Sequence, residues 1–263
     1  MSVPRSKNHR NGNAKPQPGA AFYDLDGTLA DLNLVHAALF LLSNQGEWGS
    51  RISSLLTFAA SAPRLYLAER NDRRTLNQVL FESLKGVSAA RLHELGEEYC
   101  DRILIKHLYP RAVELIEANR AIGLEPVLVT GSPDFIVAPL CRHLGIDDFA
   151  ANRLLISRGY ANGRLAAPVM AADEKAEWCI GYAAERGIDL RQCWGYADSY
   201  YDLPFLTALG HPVAVNPDRK LRAAAMSRQW PILKFEKSTD DESDQTSGDR
   251  VLAFSGRSVD GAS

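Results

Sequence analysis

The chain has 263 residues, enough for one large domain or a core domain carrying a smaller insert. Apolar residues make up 46% and charged residues 24%, the balance of a globular protein rather than a disordered one. The formal net charge of -2 gives no electrostatic footprint for nucleic acid, and no run reaches the roughly 18 apolar residues of a membrane-spanning helix.

In chain order, residues 1–19 are polar, rich in Arg, Lys, Asn and Pro, and lack the apolar stretch of a secretory signal. They read as a disordered tail, as do the Ser-, Asp- and Gly-rich residues 237–263. Residues 20–25 form a short apolar run ending in acid, a predicted buried strand with Asp24 and Asp26 at its C-terminal tip. From 32 to 106 the apolar spacing is helical: Leu34, Val35, Ala38, Leu39 and Leu42, then Leu76, Val79, Leu80 and Leu84, then Leu92, Leu95, Tyr99 and Ile103. Gly46, Pro63 and Gly86 punctuate this stretch, which reads as an all-helical insert.

After Pro110 strands and helices alternate. Helices are expected over 112–122, 134–144, 172–186, 200–209 and 218–228, and strands over 126–129, 192–196, 212–215 and 232–235. Gly145 suits a helix C-cap, and Asn162-Gly163 between 154–157 and 165–168 is a hairpin signal. Such alternation implies a doubly wound parallel sheet covered on both faces, an α/β fold that binds ligands beyond its strand C-termini. Cys100, Cys141, Cys179 and Cys193 are far apart, and no pair has metal-ligand or redox spacing. A reduced, cytoplasmic setting follows as the simplest expectation.

Four pieces of chemistry sit at or near predicted strand ends. In Asp24-Leu25-Asp26-Gly27-Thr28, two carboxylates can face one small volume, one to attack phosphorus and one to handle protons. Thr130-Gly131-Ser132-Pro133 offers hydroxyls and backbone N–H groups to phosphate oxygens. The alternative is an ordinary helix start, with Ser132 capping and Pro133 in the first turn. Lys175 opposes its helix dipole, which a nearby phosphate would offset; the alternative is a solvated lysine beside Asp173 and Glu174. Asp198 suits a Mg²⁺ site, and Asp202, one helical turn on, suits orienting Lys175 or a metal-bound water.

In order, these pieces resemble the four motifs of the haloacid dehalogenase superfamily of phosphatases, closest to its phosphoserine-phosphatase-like branch (subfamily IB). The resemblance spans about 20–235 and includes the Gly-His-Pro-Val-Ala-Val-Asn-Pro-Asp run at 210–218. It implies a Rossmann-like core over 20–31 and 107–236 with a helical cap over 32–106. It also implies an aspartyl-phosphate mechanism with Asp24 as nucleophile and Asp26 as acid and then base. Mg²⁺ would be held by Asp24, the Asp26 carbonyl and Asp198, and the phosphoryl group by Thr130, Gly131, Ser132 and Lys175. Phosphoserine-specific members carry a glutamate shortly after the first motif, where this chain has Leu32, Asn33 and Leu34.

The expected activity is therefore a phosphomonoesterase acting on a small organic phosphate. A phosphotransferase sharing the aspartyl phosphate is an alternative, and a silent phosphate-binding scaffold a more remote one. Arg73 and Arg74, at a predicted helix start, are candidates to meet a substrate anion, or else a solvated pair. The apolar stretches 34–42 and 52–66 either pack the cap together or meet an acyl chain or membrane surface, as in a lipid-phosphate phosphatase.

Overall fold

A computed structural model describes residues 19–44 and 73–237. The two expected tails, apart from Gly19 and Lys237, and the apolar stretch 52–66 lie outside the described residues.

The core is a six-stranded sheet in which every pairing is parallel. Its strands are β1 (Ala20–Tyr23), β2 (Glu125–Pro133), β3 (Asp148–Asn152), β6 (Trp194–Ala197), β7 (His211–Val215) and β8 (Ile232–Leu233), in the order β3-β2-β1-β6-β7-β8. The chain order reverses on either side of β1, so β1 is the strand at which a crevice opens beyond the C-terminal ends. β1 is buried along its whole length, and its residues alternate between two cores as a pleated strand requires. Ala21 and Tyr23 pack with helices α4 (Pro110–Ala121) and α5 (Asp134–Leu144). Ala20 and Phe22 pack on the other face with α6 (Asp173–Arg186), α7 (Leu203–Thr207) and α8 (Arg219–Ser227).

Between β1 and β2 lie the helices α1 (Leu34–Asn44), α2 (Arg73–Ser83) and α3 (Ala89–Tyr99), followed by a π-helical turn, Cys100–Leu104. Asn33 starts α1: its carboxamide oxygen accepts from the backbone N–H groups of Val35 and His36 at 3.1 and 3.3 Å. Leu34, Ala37, Ala38, Leu41 and Leu42 of α1 are buried at helical spacing. Packing therefore accounts for these five residues, whereas Leu39, expected on the same face, is exposed. α3 is pressed onto α5 at Gly96, where a Cβ would collide with the Phe135 carbonyl.

Three sequence expectations are corrected. The hairpin of β4 (Leu154–Ser157) and β5 (Tyr160–Leu165) turns at Arg158-Gly159, both at positive φ (51° and 83°), not at Asn162-Gly163. Gly163 lies inside β5 at φ 81°, and a Cβ there would lie 3.3 Å from the Glu82 Cα of the passing helix α2. Second, residues 148–152 form strand β3, at the edge of the sheet, where no strand was expected. Third, Ser132 does not cap α5. β2 continues to Pro133, which takes the capping position without a side-chain bond.

The hairpin is anchored to the helical insert by Gly86 N–H to Ala161 O (2.9 Å), Ala161 N–H to Val87 O (2.8 Å) and Ala89 N–H to Gly159 O (2.9 Å). Among the described residues, no helix is long and apolar enough to cross a membrane.

All four cysteines are buried free thiols. Burial pushes Cys100 up to about 11 and Cys141 up to about 12, so neither is a thiolate at neutral pH. In native buffer a thiol-reactive chromogenic disulfide is expected to titrate no fast-reacting thiol, and all four in denaturant. One fast thiol in the native protein would contradict the burial.

Candidate active site

Asp24 directly follows β1, and its N–H donates to the Tyr196 carbonyl at 2.9 Å, extending the β1–β6 pairing beyond the strand. On the far side of the sheet the rings of Tyr23 and Tyr196 stack with centroids 4.9 Å apart. The Asn119 amide donates to both hydroxyls at 2.6 and 2.9 Å. This clasp fixes the two strands whose ends present Asp24 and Asp198.

Lys175 lies in the first turn of α6 and is buried, not solvated. Its Nζ is 2.7 Å from Asp24 Oδ1 and 2.8 Å from Asp202 Oδ1. Burial alone would lower the lysine's pKa. Asp202 and Asp24 more than reverse that and hold the ammonium well above the ordinary lysine range. The three residues come from three strand-to-helix connections, so the bridge exists only in the folded sheet.

Asp24, Asp198 and Asp202 each offer a carboxylate oxygen within 4.8 Å of the others. Gly27, at φ +80°, passes so close to Asp198 that a Cβ would collide with its carboxylate. Only glycine takes that backbone conformation and leaves that space. Oxygen donors in a small charged cradle fit a hard divalent cation. The Asp202 Oδ2 atom, buried without a hydrogen-bond partner, adds to that fit. Asp198 is tied back through its carbonyl, which accepts from Asp218 N–H at 2.8 Å. The Asp218 carboxylate in turn accepts from Tyr200 N–H and caps α8 at Leu221 N–H.

Thr130, Gly131 and Ser132 bulge out of the β2–β3 ladder, which is regular to Val129 and resumes at Pro133. The Ser132 N–H donates to Thr130 Oγ1 at 3.1 Å, and the Ser132 hydroxyl donates to Asp26 Oδ2 at 2.7 Å. Asn152, at the tip of β3, donates to the Gly131 carbonyl at 2.7 Å and accepts from Met170 N–H at 2.8 Å. It thereby stitches the bulge to the segment leading into α6.

The structure thus gathers Asp24, Lys175, Asp198 and Asp202 into one cluster and joins Asp26 to the Thr130–Ser132 bulge. Arg73 and Arg74 open α2, and their side chains lie outside the described set. A different residue of α2 reaches the bulge. Asn77 is buried, and its Nδ2 sits 3.2 Å from where a Gly131 Cβ would be. Sequence reasoning missed Asn77 and Asn152. Asn77 carried a signal, being a polar residue in register with Leu80 and Phe81 on the buried stripe of α2.

Residues 21–207 match the family model of haloacid dehalogenase-like hydrolases. A probable phosphatase of Mycobacterium tuberculosis is 31% identical over 226 residues, covering 86% of this chain and 78% of that protein. A phosphoserine phosphatase of the same species is 30% identical over 217 residues, covering 82% and 70%. Among solved structures, a Bordetella pertussis protein of unknown function superposes with a TM-score of 0.69 at 24% identity, over 81% of this chain and 97% of that one. With its parallel sheet, helical insert and aspartate–lysine cluster, the chain belongs to the haloacid dehalogenase-like hydrolases, in their phosphoserine-phosphatase-like branch of phosphatases.

Proposed function

We propose that the chain is a Mg²⁺-dependent phosphomonoesterase that acts on a small organic phosphate through an aspartyl phosphate on Asp24. The observation carrying this reading is the buried Lys175 ammonium bridging Asp24 and Asp202 beside Asp198. A carboxylate nucleophile and a phosphate dianion repel each other, so their approach needs fixed positive charge that water cannot screen. Lys175 supplies part of it from an enclosed position.

In the first step Asp24 forms a bond to phosphorus as the ester P–O bond breaks, and Asp26 gives its proton to the departing alcohol oxygen. In the second, Asp26 takes a proton from water as that water's oxygen bonds to phosphorus. The Asp24–phosphorus bond breaks, returning the Asp24 carboxylate and releasing phosphate. Asp24, Asp198 and the Asp26 carbonyl would hold Mg²⁺, with Asp202 steadying both Lys175 and the cluster. The ion, when bound, neutralises phosphoryl oxygens that face the nucleophile. The setting proposed is cytoplasmic, in keeping with four free thiols.

Phosphate release from p-nitrophenyl phosphate is expected to vanish in EDTA and return with Mg²⁺. Asp198→Ala is expected to raise the Mg²⁺ concentration needed for half-maximal rate by at least about tenfold, the scale of a lost charged contact. Full turnover in excess chelator would refute the metal assignment.

The substrate is small and polar on this reading, because Leu34, Ala37, Ala38, Leu41 and Leu42 of α1 are spent on packing rather than offered to an acyl chain. A series of alkyl phosphates of increasing length, kept below micelle formation, should show kcat/KM flat or falling. A gain of about tenfold for every two methylenes, roughly 1.6 kcal/mol of extra burial, would instead favour a lipid phosphate.

A further inference from the structure

We propose that Ser132 is a positioning residue for the proton transfer at the leaving group, not a ligand of the phosphoryl group. This deepens the reading above and rests on Asp26 being its acid and base.

A serine has two hydrogen-bond donors, its backbone N–H and its hydroxyl. Here the N–H is turned inward to Thr130 Oγ1 at 3.1 Å, and the hydroxyl is given to Asp26 Oδ2 at 2.7 Å. Both donors that a phosphate oxygen would require are engaged within the protein. The residue is buried, and the bulge holding it is fixed from outside by Asn152 on the Gly131 carbonyl.

The partner is the informative part. Asp26 lies two residues past the nucleophile and 106 residues from Ser132 in sequence. A carboxylate side chain on that turn has two rotatable bonds, χ1 and χ2. One hydrogen bond from a serine on a neighbouring strand restricts that rotation and sets the direction of its other oxygen. The bond serves both half-reactions without rearrangement: the hydroxyl donates to Oδ2 when Asp26 carries its proton on Oδ1 and equally when it carries none. A positioned acid contributes about 10²–10⁴-fold, and misplacement by an ångström forfeits much of that.

The two roles separate by leaving group. The nitrophenolate ion leaves without a proton, whereas an alkoxide must be protonated. A phosphate ligand matters equally to both esters, and a positioner of the acid matters only to the alkyl one. kcat/KM isolates the step in which the alcohol departs, so it is unaffected by later hydrolysis of the aspartyl phosphate.

The test compares Ser132→Ala, Ser132→Thr and Asp26→Asn on p-nitrophenyl phosphate and on n-propyl phosphate in saturating Mg²⁺. For Ser132→Ala the expected result is a loss of about 10–100-fold in kcat/KM on the alkyl ester and less than about threefold on the aryl ester. Competitive inhibition by inorganic phosphate should be unchanged, and Ser132→Thr should recover most of the alkyl activity. Equal losses on both esters with weakened phosphate inhibition would overturn the proposal and make Ser132 a phosphate ligand. No loss on either ester would overturn it as well. Asp26→Asn separates the two levels of inference. If it spares the aryl ester and Ser132→Ala does not, only the Ser132 assignment fails; if Asp26→Asn depresses both esters alike, the acid role fails first.

Discussion

Asp24→Asn is expected to lower kcat/KM for p-nitrophenyl phosphate by on the order of 10⁴-fold or more, with the fold intact. The reason is chemical. A carboxamide oxygen is a poor nucleophile, and even its slow attack would not give a normal acyl phosphate. The structural cost is modest, because the amide is nearly the same size. Lys175 keeps its 2.8 Å bond to Asp202, and the Asp24 N–H still pairs with Tyr196. Phosphate release and thermal unfolding should be measured on the same preparation. A variant that keeps a tenth of the wild-type rate in Mg²⁺ would remove Asp24 from the mechanism.

The second large effect is on stability as well as rate. Lys175→Met replaces a buried ammonium by a side chain of similar length and leaves Asp24 and Asp202 facing each other without it. Removing one partner of a buried ion pair costs about 3–5 kcal/mol, since the remaining charge stays desolvated. The expected result is a loss of that size in urea unfolding in EDTA, together with turnover lowered by at least about 10²-fold. The pH dependence has a definite sign. The folded-state pKa of Lys175 is raised above its unfolded value, so its stabilisation is fully present below the ordinary lysine range near about 10.4 and lost only as pH rises beyond it. The stability gap between wild type and variant should therefore be level through neutral and mildly alkaline pH. A gap already closing by pH 8 would show that Lys175 is not held as described.

Much of this site was legible because its residues follow strands directly. β1 is a short apolar run, and Asp24 and Asp26 fall just beyond it whatever happens elsewhere. The helix expected from 218 was equally local, and the structure shows Leu221 N–H on the Asp218 carboxylate at 2.7 Å. What stayed hidden depends on partners distant in sequence. Lys175 looks like a surface residue until α6 docks and places it between two acids 151 and 27 residues away. Ser132 looks like a helix cap until β1 brings Asp26 beside it. The strand at 148–152 has only Phe149, Ala150 and Ala151 to announce it, and parallel pairing with β2 supplies the rest. Asn162-Gly163 carried the stronger turn signal, yet the turn formed at Arg158-Gly159. Gly163 meets a different need, the close approach of α2.

The imbalance of charge at the site bears on folding itself. Among the described residues, Asp24, Asp198 and Asp202 bring three carboxylates around the ammonium of Lys175, a concentration of negative charge that the sheet must gather in one place to close. The unfolded chain disperses those charges into water and has no such site. On the proposed reading a divalent cation would bind the native state selectively and draw the unfolding equilibrium toward it by mass action, by about 2.7 kcal/mol at a hundred times its dissociation constant. Free Mg²⁺ would then govern how long the polypeptide survives heat or protease, in the absence of any substrate.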